Sequence, residues 1–438
     1  MTNSRDVGDL AFPWRIVLIL TFLNILSYMD RQLIALLALP IQASLGLDDF
    51  ELGLVQGLAY SLLFTVATIP VGWAVDQMSR RRIIFTGVIF WSVATAACGI
   101  ARNFVQLLFC RFAVGIGEAS LSPSAYAILA DHTPRGRLAL STGIYAAGAS
   151  IGIAAALAGG GIILGLVTVY PLSLPVLGTP EPWQSTFLIL GTAGIFCAAL
   201  TMALPAGGQP IRPADGIEPA TWSAFFRFLL TRRAAFAAHL VGFSMIGLAA
   251  YAVASWTPAY LGRTFGWTPE MIGPKLALAV GLAGLAGTLA WSWIADHLFG
   301  KGRFTAYFDV HIATAAVGTP IIASAFLVDD PNLCLILIGT GYFILCGVGG
   351  SCTAALQLMT PARFRGRSAA LYILSLNIVA VGLGPLLVGA MTTFLFADPA
   401  RLGTAIIVIA ATAGTISLAF LSAGRRSHGA AIASATEG

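Results

Sequence analysis

The chain has 438 residues, of which 58% are hydrophobic and only 10% charged, with a mean hydropathy of +0.86 and a net charge of +5. A soluble domain carries about 25% charged residues, so this composition excludes a soluble globular protein. The basic residues form no patch interleaved with stacking aromatic side chains. We therefore expect no nucleic-acid partner.

Apolar runs of about 20 residues recur along the chain and predict an all-α polytopic membrane protein with twelve transmembrane helices. The run that begins near residue 14 is long enough to remain in the membrane, so we expect no cleaved signal. The six cysteines lie inside the runs without the spacing of a disulfide or metal site, and we expect no metal or cofactor. The predicted spans, numbered 1 to 12 in chain order, are 14–45, 51–77, 82–101, 103–131, 138–165, 184–205, 230–262, 269–299, 304–328, 332–360, 366–394 and 402–424.

Lysine and arginine are distributed unequally between the two predicted faces of the membrane. Of the 24 such residues, four lie on the face opposite the termini and two lie inside spans, which leaves 18 on the face that carries both termini. The positive-inside rule then predicts cytoplasmic termini. Short loops and tails fit an integral protein of a bacterial inner membrane. The four opposite residues are Arg102, Arg263, Lys275 and Arg401.

Four ionisable side chains are predicted at membrane depth: Asp30 and Arg31 in span 1, and Arg111 and Glu118 in span 4. Each costs at least about 2.5 kcal/mol in hydrocarbon, so such residues are functional candidates by default. Consecutive helical residues point about 100° apart, so Asp30 and Arg31 do not face each other well. Arg111 and Glu118 lie two turns apart on one face. Ion pairs that only fix helix packing are the alternative interpretation.

Two loops recur at corresponding places in the two parts of the chain. "GWAVDQMSRRR" (72–82) ends span 2 and "SWIADHLFGKGR" (292–303) ends span 8, while "TPRGRLA" (133–139) and "TPARFRGRSA" (360–369) follow spans 4 and 10. Such self-similarity indicates two repeated units of six helices. The aligned pairs include Trp73 and Trp293, Asp76 and Asp296, and Arg135 and Arg365.

The repeats divide the chain into an N-terminal six-helix half, 1–205, and a C-terminal six-helix half, 230–438. Residues 206–229 form a cytoplasmic linker rich in Gly and Pro. The stretch "WSAFFRFLLTRR", at the junction of the linker with span 7, has the pattern of a short amphipathic helix on the membrane surface.

The loop "GWAVDQMSRRR" resembles the loop signature of the major facilitator superfamily, with Gln77 and Ser79 in place of the usual Arg and Gly. The sequences "YMDR" in span 1 and "RFAVGIGEASLSPSAY" (111–126) in span 4 resemble the Spinster-type transporters of that superfamily. The resemblance covers the whole chain. It implies the major facilitator fold, in which two six-helix pseudo-repeats alternate access to a central cavity lined by spans 1 and 4.

The resemblance also implies a cytoplasmic gate in the repeated loops. Asp76, near a helix end, could pair with the arginines that follow it or cap an adjacent helix N-terminus. Such a pair must break when the gate opens. Anchoring of the loops at the lipid headgroups is the alternative role. The expected gating residues are Asp76, Arg80, Arg81, Arg82, Arg135, Asp296 and Arg365.

Because spans 1 and 4 line one cavity in this superfamily, we expect their charges to pair crosswise. At 1.5 Å per residue, Asp30 lies about 24 Å along span 1, while Arg111 and Glu118 lie about 12 Å and 22 Å into the oppositely directed span 4. In a core of about 30 Å this places Asp30 nearest Arg111. Helix tilt leaves pairing of Arg31 with Glu118 open.

These residues predict a secondary active transporter without catalytic residues, coupled to protons through Asp30 and Glu118. Arg31 and Arg111 are suited to bind an anion. A substrate anion that competes for an arginine would release its carboxylate partner to take a proton. Further substrate-binding candidates are Tyr28, Ser122, Tyr126 and Tyr145, for which helix–helix hydrogen bonding is the alternative role.

The C-terminal half offers aromatic and aliphatic residues, but no carboxylate or arginine, near mid-depth. A cavity with one charged wall suits an amphipathic anion, in agreement with the lysolipids and sphingosine-phosphate-like lipids that the Spinster resemblance implies. A drug or small-organic-anion efflux carrier and a non-coupled lipid facilitator are the alternatives. No paired nucleophile and base, metal motif or Walker A loop is present, so an enzyme is not expected. We expect a monomer in the bilayer.

Overall fold

The computed structural model describes residues 12–134, 137–175, 178–205 and 221–436. These residues contain twelve helices long and apolar enough to cross a membrane, which confirms the predicted fold class. Residues 206–220 of the predicted linker lie outside the described part, and the division into two six-helix domains stays a prediction. We call spans 1–6 the N-terminal half and spans 7–12 the C-terminal half. The twelve spans are Trp14–Leu36, Asp49–Val75, Arg80–Cys98, Phe104–His132, Leu140–Val169, Pro182–Ala203, Arg233–Phe265, Pro269–Gly300, Ala306–Leu327, Pro331–Leu358, Arg365–Phe396 and Pro399–Ala433.

Successive spans run in opposite directions, so their ends define two faces of the molecule. We call the face at Trp14, where span 1 begins, the terminal face, because span 12 also ends there. The face at Leu36 and Phe265, where spans 1 and 7 end, is the far face.

Span 1 is shorter than the predicted 14–45. It ends at Leu36, and a separate helix, Ala38–Leu45, follows after a turn at Leu37. Pro40 has no N–H to donate to the carbonyl of Leu36, so an unbroken helix would lose a hydrogen bond at this point. Span 2 then begins with a capping box, in which Asp48 accepts from the Glu51 N–H at 2.7 Å.

Two further deviations lie on the terminal face. Span 12 was predicted to end at 424 but continues beyond His428, because His428 and Ile432 are fully buried against the rest of the C-terminal half. A linker helix, Trp222–Thr231, precedes span 7, and the chain bends at Arg232 before the span begins. Span 7 therefore starts at 233 rather than at the predicted 230.

Contacts between the spans repeat from one half to the other. Span 1 packs along span 5, and its counterpart, span 7, packs along span 11. Glycines allow the close approach: a Cβ added at Gly152 would lie 2.6 Å from the carbonyl oxygen of Ile25 in span 1, and one at Gly384 would lie 3.1 Å from that of Leu248 in span 7. Small residues let membrane helices pack at backbone distance.

The two halves meet along two seams, between spans 2 and 11 and between spans 5 and 8. In the first seam, a Cβ at Gly57 would lie 2.5 Å from the carbonyl oxygen of Gly382. In the second, a Cβ at Gly273 would lie 2.2 Å from the carbonyl oxygen of Leu157. The contacts of both seams run from the far face to about mid-depth.

On the terminal face the spans pack within their own halves. The segment Leu121–His132 of span 4 contacts spans 1, 2, 3 and 5, and the segment Val348–Leu358 of span 10 contacts spans 7, 8, 9 and 11. Since the seams lie toward the far face, we infer that this conformation is closed at the far face and open at the terminal face.

One methyl group added at the contact between Gly57 and Gly382 is expected to change the balance between the two conformations. Gly57→Ala must push spans 2 and 11 apart, at a cost of about 1–3 kcal/mol, and should favour the conformation with an open far face. Spin labels would be attached to Ser44→Cys and Ala400→Cys in a protein whose native cysteines have been replaced. In Gly57→Ala, a larger fraction of molecules than in the parent should show the longer distance between the two labels. Gly72→Ala in the same span meets no atom within 4 Å and is the control. Equal distance distributions for both variants would contradict the prediction.

Candidate functional site

A buried carboxylate joins three spans at the centre of the N-terminal half. The Glu118 side chain is fully buried, and its Oε2 accepts from the Ser27 hydroxyl at 2.7 Å, Arg31 Nη2 at 2.9 Å and the Tyr60 hydroxyl at 2.8 Å. Its other oxygen, Oε1, has no hydrogen-bond partner among the described residues. The site therefore holds a buried ion pair with one unoccupied acceptor.

A break in span 4 directly follows this carboxylate. The helix Phe104–Glu118 ends there, and helical structure resumes at Leu121. Pro123 cannot donate to the carbonyl of Ala119, so the sequence itself interrupts the ladder of main-chain hydrogen bonds. Glu118 is therefore the last residue of a helical segment and does not lie inside a continuous helix.

Aromatic rings surround the Arg31 guanidinium. Its central carbon lies 4.4 Å from the ring centroid of Tyr28, 4.5 Å from that of Tyr60 and 5.4 Å from that of Phe64. Tyr251, from span 7, packs against the cluster that contains Tyr60. Cation–π contacts of this kind stabilise a desolvated arginine. The Arg31 side chain is 11% exposed, whereas that of Glu118 is fully buried.

The second pair of charges is adjacent but does not form an ion pair. Arg111 Nη1 donates to the main-chain oxygen of Asp30 at 3.4 Å, and its Nε donates to the carbonyl of Val55 at 3.2 Å. Val55 lies in a π-helical turn, Leu54–Leu58, which alters the main-chain hydrogen bonding of span 2. Arg111 is buried against these carbonyls, away from the space between the halves.

Asp30 is buried with only one neutral donor. Its Oδ2 accepts from the Thr95 hydroxyl at 3.1 Å, and its Oδ1 has no partner within the described ranges. The ion pair between spans 1 and 4 is thus Arg31 with Glu118, the arrangement that helix depth left open, and not Asp30 with Arg111. Helix depth does not determine which way a side chain points around the helix axis.

The predicted lining residues of spans 4 and 5 form one cluster. The hydroxyl oxygens of Ser122 and Tyr145 lie 3.2 Å apart, and the Tyr126 and Tyr145 rings pack edge to face at 5.2 Å. Tyr145 is buried and Tyr126 is exposed, while Tyr28 lies over Arg31 instead. Their contact with a substrate stays a prediction.

The N-terminal gating candidate that the structure describes best is Arg80. Its buried guanidinium pairs with Asp131 at the end of span 4 and donates to the carbonyl of Ala127 at 3.1 Å. Arg81 is half-buried and Arg82 is exposed. Asp131 was not among the predicted gating residues. The Asp76 side chain and Arg135 lie outside the described residues, so these two assignments stay predictions.

The C-terminal gating candidates also contact their own half. Asp296 accepts from the Tyr307 hydroxyl at 2.8 Å, which ties span 8 to span 9. Arg365 Nε donates to the carbonyl of Thr360 at 3.2 Å, next to the end of span 10. Both contacts agree with an open terminal face, and a gating role for either residue stays a prediction.

A polar lock that sequence reasoning missed crosses the far face. Arg263 at the end of span 7 donates through Nη1 to Asp49 Oδ2 at 2.9 Å and through Nη2 to Asp49 Oδ1 at 2.5 Å. Nη2 also donates to the Gln42 side chain at 2.8 Å. Arg263 is one of the few basic residues on this face, and that rarity was the available signal. The far-face lock joins the two halves directly.

The Tyr60 hydroxyl is expected to stabilise the site without forming the ion pair. Tyr60→Phe removes one of three donors to a buried carboxylate, and a hydrogen bond to a charged group is worth about 1.5–3 kcal/mol. The variant should lower the free energy of unfolding by that amount, measured by denaturation in lipid micelles. Tyr170→Phe, at an exposed tyrosine, should change nothing. A Tyr60→Phe variant as stable as the parent would refute the assigned contact.

Twelve packed membrane spans with a buried ion pair between spans 1 and 4 define an integral multi-pass membrane protein with charges at membrane depth. The model of the Major Facilitator Superfamily matches residues 20–385, and the chain belongs to that superfamily. Its family and fold are those of transporters, and within them the chain resembles Spinster.

The relatives include proteins named as an efflux pump, as a galactonate transporter and as a spinster homolog. An MFS-type efflux pump of Mycolicibacterium smegmatis is 26% identical, over 94% of this chain and 92% of its own length. A probable L-galactonate transporter of Escherichia coli is 26% identical, over 79% of this chain and 76% of its own length. Human protein spinster homolog 1 is 27% identical, over 59% of this chain and 48% of its own length.

Solved structures share the fold over almost the whole chain. The crystal structure of a bacterial homologue of the human lysosomal transporter Spinster, inward-facing and unoccupied, has a TM-score of 0.76 and 22% identity, and covers 98% of both chains. The nucleoside transporter NupG has a TM-score of 0.71 and 11% identity, over 93% of this chain and 99% of its own.

Proposed function

We propose that the protein is a secondary active transporter that moves an amphipathic anion by alternating access and couples this movement to protons. The observation that carries the proposal is the Arg31–Glu118 ion pair, whose arginine is partly exposed while its carboxylate is fully buried. A substrate can therefore contact the cation first and affect the carboxylate through it.

The coupling step follows from the cost of a buried charge. A substrate anion that binds Arg31 competes with Glu118 for the guanidinium. A buried carboxylate that loses its cationic partner is strongly destabilised unless it takes a proton. Asp30, with one free oxygen and no cation paired to its carboxylate among the described residues, is the second proposed proton carrier. Substrate binding and proton uptake then occur on neighbouring atoms.

The proposed cargo is a lysolipid or a sphingosine-phosphate-like lipid. The anionic head would bind Arg31, and the rings of Tyr28, Phe64 and Tyr251 around it would contact the apolar part. The resemblance to Spinster supports a lipid. A small organic anion is the second candidate, because the galactonate transporters among the relatives are named for such anions and the Ser122–Tyr145 cluster offers hydroxyl groups.

Transport into proteoliposomes tests both candidates. Labelled lysophospholipid and labelled galactonate would be supplied with and without an imposed pH gradient, next to protein-free vesicles. Accumulation of lysophospholipid only with the gradient supports the proposal. Equal movement of lysophospholipid with and without the gradient would refute proton coupling and indicate a non-coupled lipid facilitator. Accumulation of galactonate but not of lysophospholipid would refute the lipid cargo and indicate a carrier of small organic anions.

We further propose that the terminal face lies in the cytoplasm of a bacterial cell and that the protein works as a monomer in the inner membrane. The excess of basic residues on that face supports the orientation. Labelling of a cysteine added before residue 12 should require permeabilised cells, and labelling of one at Ser44 should not.

A further inference from the structure

The linker helix, Trp222–Thr231, has two apolar faces, of which only one is covered by protein. On the covered side, Phe225 is buried, and the Phe228 ring stacks on Phe364 of the loop between spans 10 and 11 at 5.0 Å. On the other side, Trp222, Phe226 and Leu230 are all more than half exposed. Because they follow one another at intervals of four residues, they form a continuous apolar stripe.

The position of this helix places the stripe at the membrane surface. The chain bends at Arg232 and enters the membrane directly as span 7, so the linker helix lies at the level of the headgroups. An amphipathic helix at this depth buries its apolar face at the boundary between headgroups and acyl chains. The bilayer is therefore the occupant that the geometry offers to the exposed stripe.

Charge selects the lipid. Arg227 on the linker helix and Arg233 at the start of span 7 are exposed. Arg363 lies in the loop between spans 10 and 11, and Arg367 lies in the first turn of span 11. The Arg367 guanidinium lies 4.4 Å from the Trp222 ring and donates to the carbonyl of Thr221 at 3.0 Å. Clusters of basic residues beside a membrane span attract anionic headgroups.

We propose that the linker helix is a binding site for anionic phospholipids, which tethers the loop between spans 10 and 11 to the membrane surface. The stripe supplies insertion, and Arg227 and Arg233 supply the selectivity for negative charge. Phe364 and Arg367 connect the linker helix to the junction of the loop with span 11. The inference does not depend on the transported substrate.

Hydrogen exchange of residues 221–232 tests the proposal in the full chain. The protein would be placed in nanodiscs of phosphatidylcholine alone or with one third phosphatidylglycerol. We expect phosphatidylglycerol to slow exchange at least about five-fold, the effect of one arginine near an anionic surface, and high salt to reverse it. Equal exchange in the two lipids at low salt would overturn the proposal.

Three double variants distinguish the contribution of the arginines to lipid binding from that of the apolar stripe and from that of general surface charge. Arg227→Gln with Arg233→Gln should abolish the effect of phosphatidylglycerol and leave exchange in phosphatidylcholine unchanged. Phe226→Ser with Leu230→Ser should speed exchange in both lipids. Lys301→Gln with Arg303→Gln, exposed in another loop of the same face, should keep the full effect of phosphatidylglycerol. Loss of that effect in this last pair would show general surface charge and refute the site.

Discussion

The Glu118→Gln variant is expected to lose transport driven by a pH gradient completely while it still binds substrate. Glutamine has nearly the same shape and can accept from Ser27 and Tyr60, but it neither carries a proton through the cycle nor pairs as an anion with Arg31. Uptake in proteoliposomes measures the first effect, and equilibrium binding of the labelled cargo measures the second. Asp30→Asn should reduce gradient dependence in the same direction.

The matched control is Asp329→Asn, at an exposed carboxylate before span 10, which should leave both quantities unchanged. Full gradient dependence in both Glu118→Gln and Asp30→Asn would contradict proton coupling through this site. Loss of binding in Glu118→Gln would instead assign the carboxylate to holding Arg31 in place.

Loss of the far-face lock is expected to shift the conformational equilibrium. Asp49→Ala leaves Arg263 without its carboxylate partner, and removing one partner of a largely buried pair costs several kcal/mol. Since that cost falls only on the conformation in which the halves touch at the far face, the population with an open far face should rise at least about ten-fold. The Ser44→Cys and Ala400→Cys label distance measures it.

Exchanging the two charges tests whether the ion pair between Asp49 and Arg263 itself stabilises the closed far face. Asp49→Arg combined with Arg263→Asp should restore part of the closed population, while either change alone should not. Asp329→Ala is the control on the same face, because Asp329 is exposed in the loop between spans 9 and 10 and lies far in sequence from both label positions. A shift in Asp329→Ala equal to that in Asp49→Ala would contradict the assignment of the lock.

The number and order of spans could be predicted from the sequence because hydrophobic length alone determines them. The ends of spans 1 and 12 could not, since a single proline ends the first and burial of His428 extends the last. The ends of both spans depend on local packing and main-chain hydrogen bonding, which the mean hydropathy of an apolar run does not describe.

The partners of the charged residues could be predicted only in part. Depth along the helices predicts that Asp30 lies beside Arg111, and the two residues are adjacent. The Arg111 guanidinium, however, donates to main-chain carbonyls, one of them in a π-helical turn that the sequence pattern does not predict. The lock between Asp49 and Arg263 joins residues more than 200 positions apart. Such a contact depends on how the two halves pack, which a single sequence does not encode locally.

The seams between the halves run from the far face to about mid-depth, where they end. A rigid half that turns about this level, while the Gly57–Gly382 contact on its far-face side separates, acts as a lever with arms of about 15 Å on each side in a core of about 30 Å. A rotation of about 20° then moves each helix end by about 5 Å, in opposite directions at the two faces. Opening one entrance by the width of a side chain narrows the other by the same distance, so a single pivot is enough to prevent a continuous pore.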